Sequence, residues 1–486
     1  MSNRRTRYKA EPECKVPLAE EGPVLKLSLE TRERTGRRIS NGEANRLSPA
    51  DRPAHDWYRF VLSFPPHLVR EYLARFNVGP KQIVLDPFCG TGTTLVECAK
   101  LGIPSIGVEA NPMAHFASQV KVDWTPDPDG LLKHAREVAE YTRVQLEDEG
   151  IDDGPSLPLF PTGRRISSVV GSPLRTLPPE QAKLLLAHSI SPVPLHKTLA
   201  LLDCLRTRCD KRYYDHECLA LSKALVTTIS NLHFGPEVGV GPAKMDSPVV
   251  ALWLAEVQTI GDDLRRLRSI HGVPARVHRA DSRRIAQVVE AHSVDAVITS
   301  PPYPNEKDYT RTTRLESVLF GFIKNVEDLR ALKQGLVRSN TRGVYRDDDD
   351  DRWVAQNQDI QGIAEAIESR RLSLGKTSGF ERMYPRVTKL YFGGMARHLA
   401  DLRTVLRPGA MLAYVVGDQA SYLRVMIRTG KLLAEIGEQL GYETVAIDLF
   451  RTRLATATKE QLREEVVILR WPGKGRSARS RSTVSL

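Results

Sequence analysis

Cysteine is scarce in this chain, six among 486 residues. So few over such a length make no disulfide framework, and they fit a reducing compartment. No apolar run approaches the roughly 20 residues that a membrane-spanning helix needs. The first residues, MSNRRTRYKAEPE, contain no apolar signal core. A cytoplasmic protein without a membrane partner is therefore expected. The glycine-bearing segment DPFCGTGTT carries no GKS or GKT, which argues against ATP binding of the P-loop kind. No internal repeat is visible.

What is present is a chain that can bury a core. It is 41% hydrophobic and long enough for two or three domains' worth of mass. Its net charge is +11 and its pI about 9.3. That balance favours a polyanionic partner, nucleic acid being the commonest, although an ordinary basic enzyme has the same balance.

The composition divides the chain. Residues 1–50 are polar, with basic clusters at Arg4-Arg5 and Arg37-Arg38 and one possible short strand at Val24–Leu29. They read as a flexible arm. Residues 51–124 show a β-α-β-α rhythm. A helix starts near Pro65-Pro66, a buried strand runs over Lys81–Asp86, a helix over Thr93–Leu101, a strand over Ser105–Glu109 and a helix over Asn111–Val120. This is the rhythm of a doubly wound α/β sheet. Residues 125–270 are leucine-rich and mostly helical by period, broken by a Pro/Gly stretch at 152–163. The strand pattern resumes over 271–320, with Ala275–His278 and Val294–Thr299. A second insertion covers 321–390 and holds Asp347–Asp351, five acids in a row that read as a solvated loop. In 391–472 the strands Met411–Val416, Thr444–Leu449 and Val466–Trp471 follow, the last two suited to a C-terminal antiparallel pair. The Gly/Ser/Arg-rich tail, 473–486, reads as disordered.

Two short strings carry chemistry. In VLDPFCGTGTT a strand ends at Asp86, and Gly90 and Gly92 stand in the turn to a helix. Glycines there allow positive φ and close approach of backbone to a ligand. Glu109 closes the second strand, about 20 residues on, where an acid can bind both ribose hydroxyls. The pair reads as a site for an adenosine-bearing ligand without a large phosphate demand.

The second string is ITSPPY, 298–303. Pro301 and Pro302 fix their own φ and hold Ser300 extended, so the loop is stiff. A stiff loop suits an in-line displacement at an amine. An exocyclic amine is a poor nucleophile because its lone pair is delocalised into the ring. Acceptors at both N–H positions favour a more tetrahedral nitrogen and release that pair. The Ser300 hydroxyl and the Pro301 carbonyl are such acceptors, and Tyr303 can stack on a flipped-out base.

With these residues in place, DPFCGTGTT and SPPY together resemble the cofactor and catalytic motifs of the S-adenosylmethionine-dependent DNA amino-methyltransferases, which modify cytosine N4 or adenine N6. The resemblance covers about 55–124 and 272–320, with weaker agreement at 405–471. It implies a Rossmann-like methyltransferase sheet and S-adenosylmethionine as cofactor. It implies that Asp86 faces the methionine part, that Pro87, Phe88, Cys89, Gly90, Gly92 and Thr93 form the cofactor loop, that Glu109 takes the ribose and that Asp281 meets the adenine amine. Asp281 is also a plausible helix N-cap. The same resemblance makes Ser300, Pro301, Pro302 and Tyr303 the catalytic loop and double-stranded DNA the substrate. Ser in the first position is commoner in cytosine-N4 members, and Asp or Asn in adenine-N6 members. FVLSFPPHLV occupies the place of the motif that completes the methionine pocket, and reads equally well as a packing helix. No PC dipeptide of the cytosine-C5 type occurs.

The pattern departs from the family in one respect. About 150 residues separate strands that are close together in most relatives, so target recognition has two candidate regions, 125–270 and 321–390. NLHFGPEVGVGPAK at 231–244 reads as a loop near the site or a packing loop. LVRSNTRGVYR at 336–346 is a candidate DNA-contacting segment, and Arg311 and Arg314 either meet phosphate or are solvated. Cys204, Cys209, His216 and Cys218 raise a zinc question, but their spacing is no familiar ligand pattern and buried thiols explain them equally well; no metal is expected. The rival readings are a tRNA guanine-N2 type RNA methyltransferase and a non-catalytic nucleic-acid-binding subunit. A cognate restriction or defence-system protein is a possible partner.

Overall fold

The computed structural model describes residues 47–59, 63–154, 173–234, 237–270, 273–305, 307–454 and 461–473. The expected arm, with its basic clusters and its strand at Val24–Leu29, falls outside the described residues except for its last few positions. So does the tail beyond 473.

Nine strands form among the described residues, in chain order: β1 (Val84–Asp86), β2 (Ser105–Val108), β3 (Leu232–Phe234), β4 (Val238–Val240), β5 (Ala275–His278), β6 (Val294–Thr299), β7 (Leu406–Gly417), β8 (Glu443–Leu454) and β9 (Gln461–Arg470). Seven of them make one sheet in the order β5-β2-β1-β6-β7-β9-β8. The pairs β5–β2, β2–β1, β1–β6 and β6–β7 are parallel. Strand β9 runs antiparallel between β7 and β8, so the expected C-terminal antiparallel pair forms. The fold is a Rossmann-like α/β sheet with that pair at one edge.

The period of two explains how the sheet is covered on both faces. On β7, Leu412, Tyr414 and Val416 enter one core while Ala413 and Val415 enter the opposite one. On β9, Val467 and Leu469 alternate in the same way with Val466 and Ile468. One face is covered by the helices Pro66–Arg75 and Thr93–Lys100. The first of these buries Leu68, Val69, Tyr72 and Leu73, each contributing roughly 1.5–3 kcal/mol for a fully buried side chain. The other face is covered by Gln358–Ser373, Gly379–Leu402 and Thr429–Gln439.

The leucine-rich insertion between β2 and β5 is helical, as its period indicates. Helices Pro128–Asp148, Pro192–Thr207, Tyr214–Ala224 and Val249–Leu267 pack around buried Trp253, Leu201 and Leu221. The segment at 231–244, expected as a loop, contains the antiparallel hairpin β3–β4. Asn231 fixes its base: its N–H donates to the Ser189 carbonyl at 2.8 Å, and its side-chain oxygen accepts from the Lys244 N–H at 2.8 Å. The four zinc candidates do not form a ligand set. His216 is bonded to the Asp123 carbonyl, Cys204 faces Gln145, Cys218 is buried and Cys209 is exposed. No metal-binding cluster is found among the described residues.

The acidic run differs most from expectation. Asp347 and Asp349 are exposed. Asp350, however, is 3% exposed and lies between Arg283 and Arg397. Burial of its backbone requires Gly393, where a Cβ would stand 1.9 Å from the Asp350 carbonyl oxygen. The basic stretch at 336–346 also turns inward in part, because Arg338 is 4% exposed and paired with Asp348 at 2.6 Å. Among the described residues no helix is long and apolar enough to cross a membrane.

Candidate active site

The chain passes from β1 to β2 and then β5 on one side of β1, and returns to β6 on the other. That reversal leaves a crevice at the carboxyl ends of β1 and β6, the usual ligand position in such sheets. A cavity of about 330 Å³ occupies it. The loops after β1 and β6 form facing walls, Pro87–Thr91 and Thr93 on one side and Ser300–Tyr303 on the other.

The two loops are joined behind the cavity. Asp86 ends β1 and is wholly buried. Its Oδ1 accepts from the Thr299 hydroxyl at 2.6 Å and from the Phe88 N–H at 3.1 Å. Thr94 Oγ1 donates to the Ile298 carbonyl at 3.1 Å. Burial raises the Asp86 carboxyl to about 6, against the pull of its hydrogen bonds. Its Oδ2 has no hydrogen-bond partner among the described residues.

The glycines serve different ends. Gly90 has φ +51° and nothing within 4 Å of where a Cβ would stand, so its face opens to the cavity. Gly92, at φ +84°, lies instead against helix Pro112–Lys121, where a Cβ would meet the Cβ of Ser118 at 3.0 Å. Cys89 is buried, and burial pushes its thiol up, away from reactivity.

Glu109, just past β2, is on the wall. Its Oε2 accepts from the Gly90 N–H at 2.9 Å and its Oε1 from the Asn111 N–H at 2.7 Å. Burial raises it to about 7, partly offset by those two bonds. Asp281 forms the N-cap that its sequence offered: it caps the turn Ser282–Gln287, and both its oxygens bind Arg283, while the wall at this point is Ala280 and Ser282.

On the opposite wall the Ser300 hydroxyl donates to the Val415 carbonyl at 3.2 Å and also stands in hydrogen-bonding reach of the Tyr303 phenol, which leaves its oxygen a lone pair to accept with. Tyr303 packs against the backbone of Gly417, where a Cβ would meet its ring at 3.1 Å. Burial and nearby Glu464 raise its phenol, which stays neutral. The cavity is thus an oxygen-rich cleft with a backbone face, an acid and a stiff acceptor loop. A buried Thr91 hydroxyl without a partner among the described residues adds to it. Open glycine backbone, an acid and this hydroxyl fit an adenosine ligand with an amino-acid end.

Several wall residues have no local sequence signature. Ser63–Pro65 come from the loosely matching upstream segment. Lys333, bonded to Asp308 at 3.1 Å, and Gly335–Asn340 come from the second insertion. Arg451 and Glu464 come from β8 and β9. Arg311 is half-buried, while Arg314 is 8% exposed and bonded to Thr310.

Comparison of the sequence with known proteins points to methyltransferases. A family profile described as DNA methylase matches residues 32–119. The chain is 24% identical over 473 residues to the type II methyltransferase M.BsoBI of Geobacillus stearothermophilus, covering 91% of this chain and 88% of that one. It is 23% identical over 479 residues to the type II methyltransferase M.AvaI of Nostoc sp., covering 90% of each. Among solved structures, an rRNA methyltransferase from Streptomyces viridochromogenes overlaps 86% of this chain and 87% of its own, at 11% identity and a TM-score of 0.29. With DPFCGTGTT and SPPY lining one cleft, these matches support an amino-methyltransferase of the N4-cytosine/N6-adenine type, with S-adenosylmethionine as the methyl donor.

Proposed function

We propose that this protein methylates an exocyclic amine of a flipped base in double-stranded DNA at a specific site, with cytosine N4 preferred to adenine N6. The observation that carries the reading is the shared cavity: Ser300–Tyr303 face Pro87–Gly90 across it, and the Asp86–Thr299 bond holds the two loops in register. When bound, S-adenosylmethionine supplies a methyl group on a sulfonium sulfur, an electrophile needing no metal or covalent enzyme intermediate.

The chain's residues prepare the amine. Ser300 Oγ and the Pro301 carbonyl accept its two N–H groups and release its lone pair for in-line attack on the methyl carbon. The C–S electron pair returns to sulfur, and the amine's extra proton leaves to solvent. Tyr303 holds the ring by stacking. Pro87, Phe88, Cys89, Gly90 and Thr93 wall the cofactor, and Glu109 accepts from its ribose. Asp86, Gly92 and Asp281 act from behind the wall, by fixing the loops. The Ser at 300 supports cytosine.

Of the two insertions, the second supplies wall residues, whereas no described residue of 125–270 lines the cavity. We assign the nearer part of target recognition to 321–390. A cognate restriction enzyme is a reasonable partner, since both relatives are type II methyltransferases by name.

The test is expression in a methylation-deficient host followed by nucleoside mass spectrometry of DNA and RNA. N4-methylcytosine in DNA is expected, lost in Ser300→Ala while S-adenosylmethionine binding is kept. A mark on adenine N6 would replace the base preference. A mark only in RNA would overturn the substrate.

A further inference from the structure

The exocyclic amine is common to cytosine and adenine; the neighbouring edge is not. Beside its amine, cytosine carries two adjacent acceptors, N3 and O2. Adenine carries one, N1, followed by a C–H. A residue that offers two parallel donors beside the amine-holding loop would therefore separate the two bases.

The sheet order places that residue. Cofactor-loop strands β1 and β2 lie to one side of β6, and β7, β9 and β8 lie to the other. Glu464 on β9 and Arg451 on β8 reach the same cavity as Ser300 and Tyr303, from the side away from Glu109. They are cross-strand partners, and the Arg451 Nε donates to Glu464 Oε2 at 2.5 Å. The register of β8 shifts between Leu449 and Arg451. A bulge of this kind re-aims side chains, and both Phe450 and Arg451 line the cavity although they are consecutive. The guanidinium is held by Glu464 and lies 5.6 Å from the centre of the Phe450 ring, in the cavity that Tyr303 also lines. Its side chain is 18% exposed and that of Glu464 11%. Glu464 takes the Nε only. Neither terminal nitrogen of Arg451 has a hydrogen-bond partner among the described residues. A half-buried arginine fixed at Nε and unspent at both ends, beside a base-holding loop, is a ready fork.

We propose that Arg451, oriented by Glu464, donates to N3 and O2 of the flipped cytosine and so determines which base is methylated. This rests on the cytosine reading above. Arg451 is a specificity residue and Glu464 a positioning residue; neither takes part in the transfer itself.

The test uses the full-length enzyme and a duplex whose target position has been located by sequencing the methylated host DNA. The target is cytosine or 3-deazacytosine, which keeps the amine and O2 but lacks the N3 acceptor. Wild type is expected to lose about 10- to 100-fold in kcat/KM on the analogue, the scale of one bidentate base contact. Arg451→Gln should lose a similar factor on cytosine and little more on the analogue. Arg451→Lys, which keeps the charge without the fork, should remain impaired. Glu464→Gln should show an intermediate loss and serves as the second variant if Arg451→Gln does not fold. Titration with S-adenosylmethionine, unchanged in each variant, verifies the cofactor half. If the losses from analogue and variant multiply, or if lysine restores the rate as it would for a phosphate contact, the proposal is overturned. If wild type methylates only adenine, the cytosine reading itself falls, whatever the Arg451 variants do.

Discussion

Cofactor affinity should depend steeply on pH through one residue, Glu109. Burial holds its carboxyl at about 7 in the free protein, despite the N–H groups of Asn111 and Gly90 that favour the charged form. Ribose hydroxyls donate best to the ionised carboxylate, so binding should draw the group back to the ordinary range near ~4.3. The free protein then binds a proton that the complex does not, and affinity rises with pH. With about 7 free and about 4.3 bound, the apparent Kd is multiplied by a factor of roughly 11 at pH 6 but about 1.1 at pH 8. The slope is close to tenfold per unit below pH 7 and flat above it. Calorimetric titration with S-adenosylmethionine across pH 5.5–8.5 measures this. In buffers of different ionisation enthalpy, about half a proton should be released per site at pH 7. Glu109→Gln should bind more weakly at pH 8 and lose the slope. A Kd that is flat across the range in wild type, or an equal slope in Glu109→Gln, would refute the reasoning.

Two further substitutions test the supports of the cavity. Asp350→Ala removes one of the two carboxylates that hold Arg283, leaving it Asp281 and the Gln334 carbonyl, and frees the partly exposed Arg397; the lost charged hydrogen bonds should cost about 1–3 kcal/mol. Urea unfolding should show that loss, and a change below about 1 kcal/mol would mean that water satisfies the arginines. Gly92→Ala places a Cβ 3.0 Å from Ser118 at φ +84°, which should cost about 1–3 kcal/mol by strain and overpacking. Thermal melting checks it, and an unchanged Tm would show that the loop moves freely from the helix.

The parts of this molecule that could be read from sequence are those whose causes are local. Two strands of the parallel half, β1 and β6, end in turns that carry their own signatures, DPFCGTGTT and SPPY. The antiparallel β8–β9 pair was legible for the same reason. Asp350 was not. Five acids in a row have every local reason to be solvated. The arginines that draw one of them inward stand 67 residues before it and 47 after it. Asp281 belongs with the legible parts, since the N-cap role that its sequence offered is formed, with Arg283 two residues on as its partner. Arg451 and Glu464 are ordinary strand residues until β8 and β9 pair and a bulge turns them toward the cleft.

The place where each insertion leaves the sheet decides what it can do. The first follows the helix Pro112–Lys121 and precedes β5, so it departs where the chain is about to enter the amino end of a parallel strand. The crevice lies at the opposite ends. It can therefore add helices whose core runs on into Val96, Met113, Ala117 and Leu315 while β5 still pairs with β2 in register. The second follows β6, the strand that ends in SPPY, and so departs from the crevice itself. Its chain must cross the site before returning to β7, and it does so as Gly335–Asn340. That crossing is held down by the bonds from Arg283 to the Gln334 carbonyl, from Asn340 to the Lys307 carbonyl and from Tyr422 to the Ser339 carbonyl. Sequence change in the first insertion alters surface at a distance from the cleft. Sequence change in the second alters the wall against which the base and the cofactor would rest, and the bonds from Arg283, Asn340 and Tyr422 tie that wall to the site's own loops.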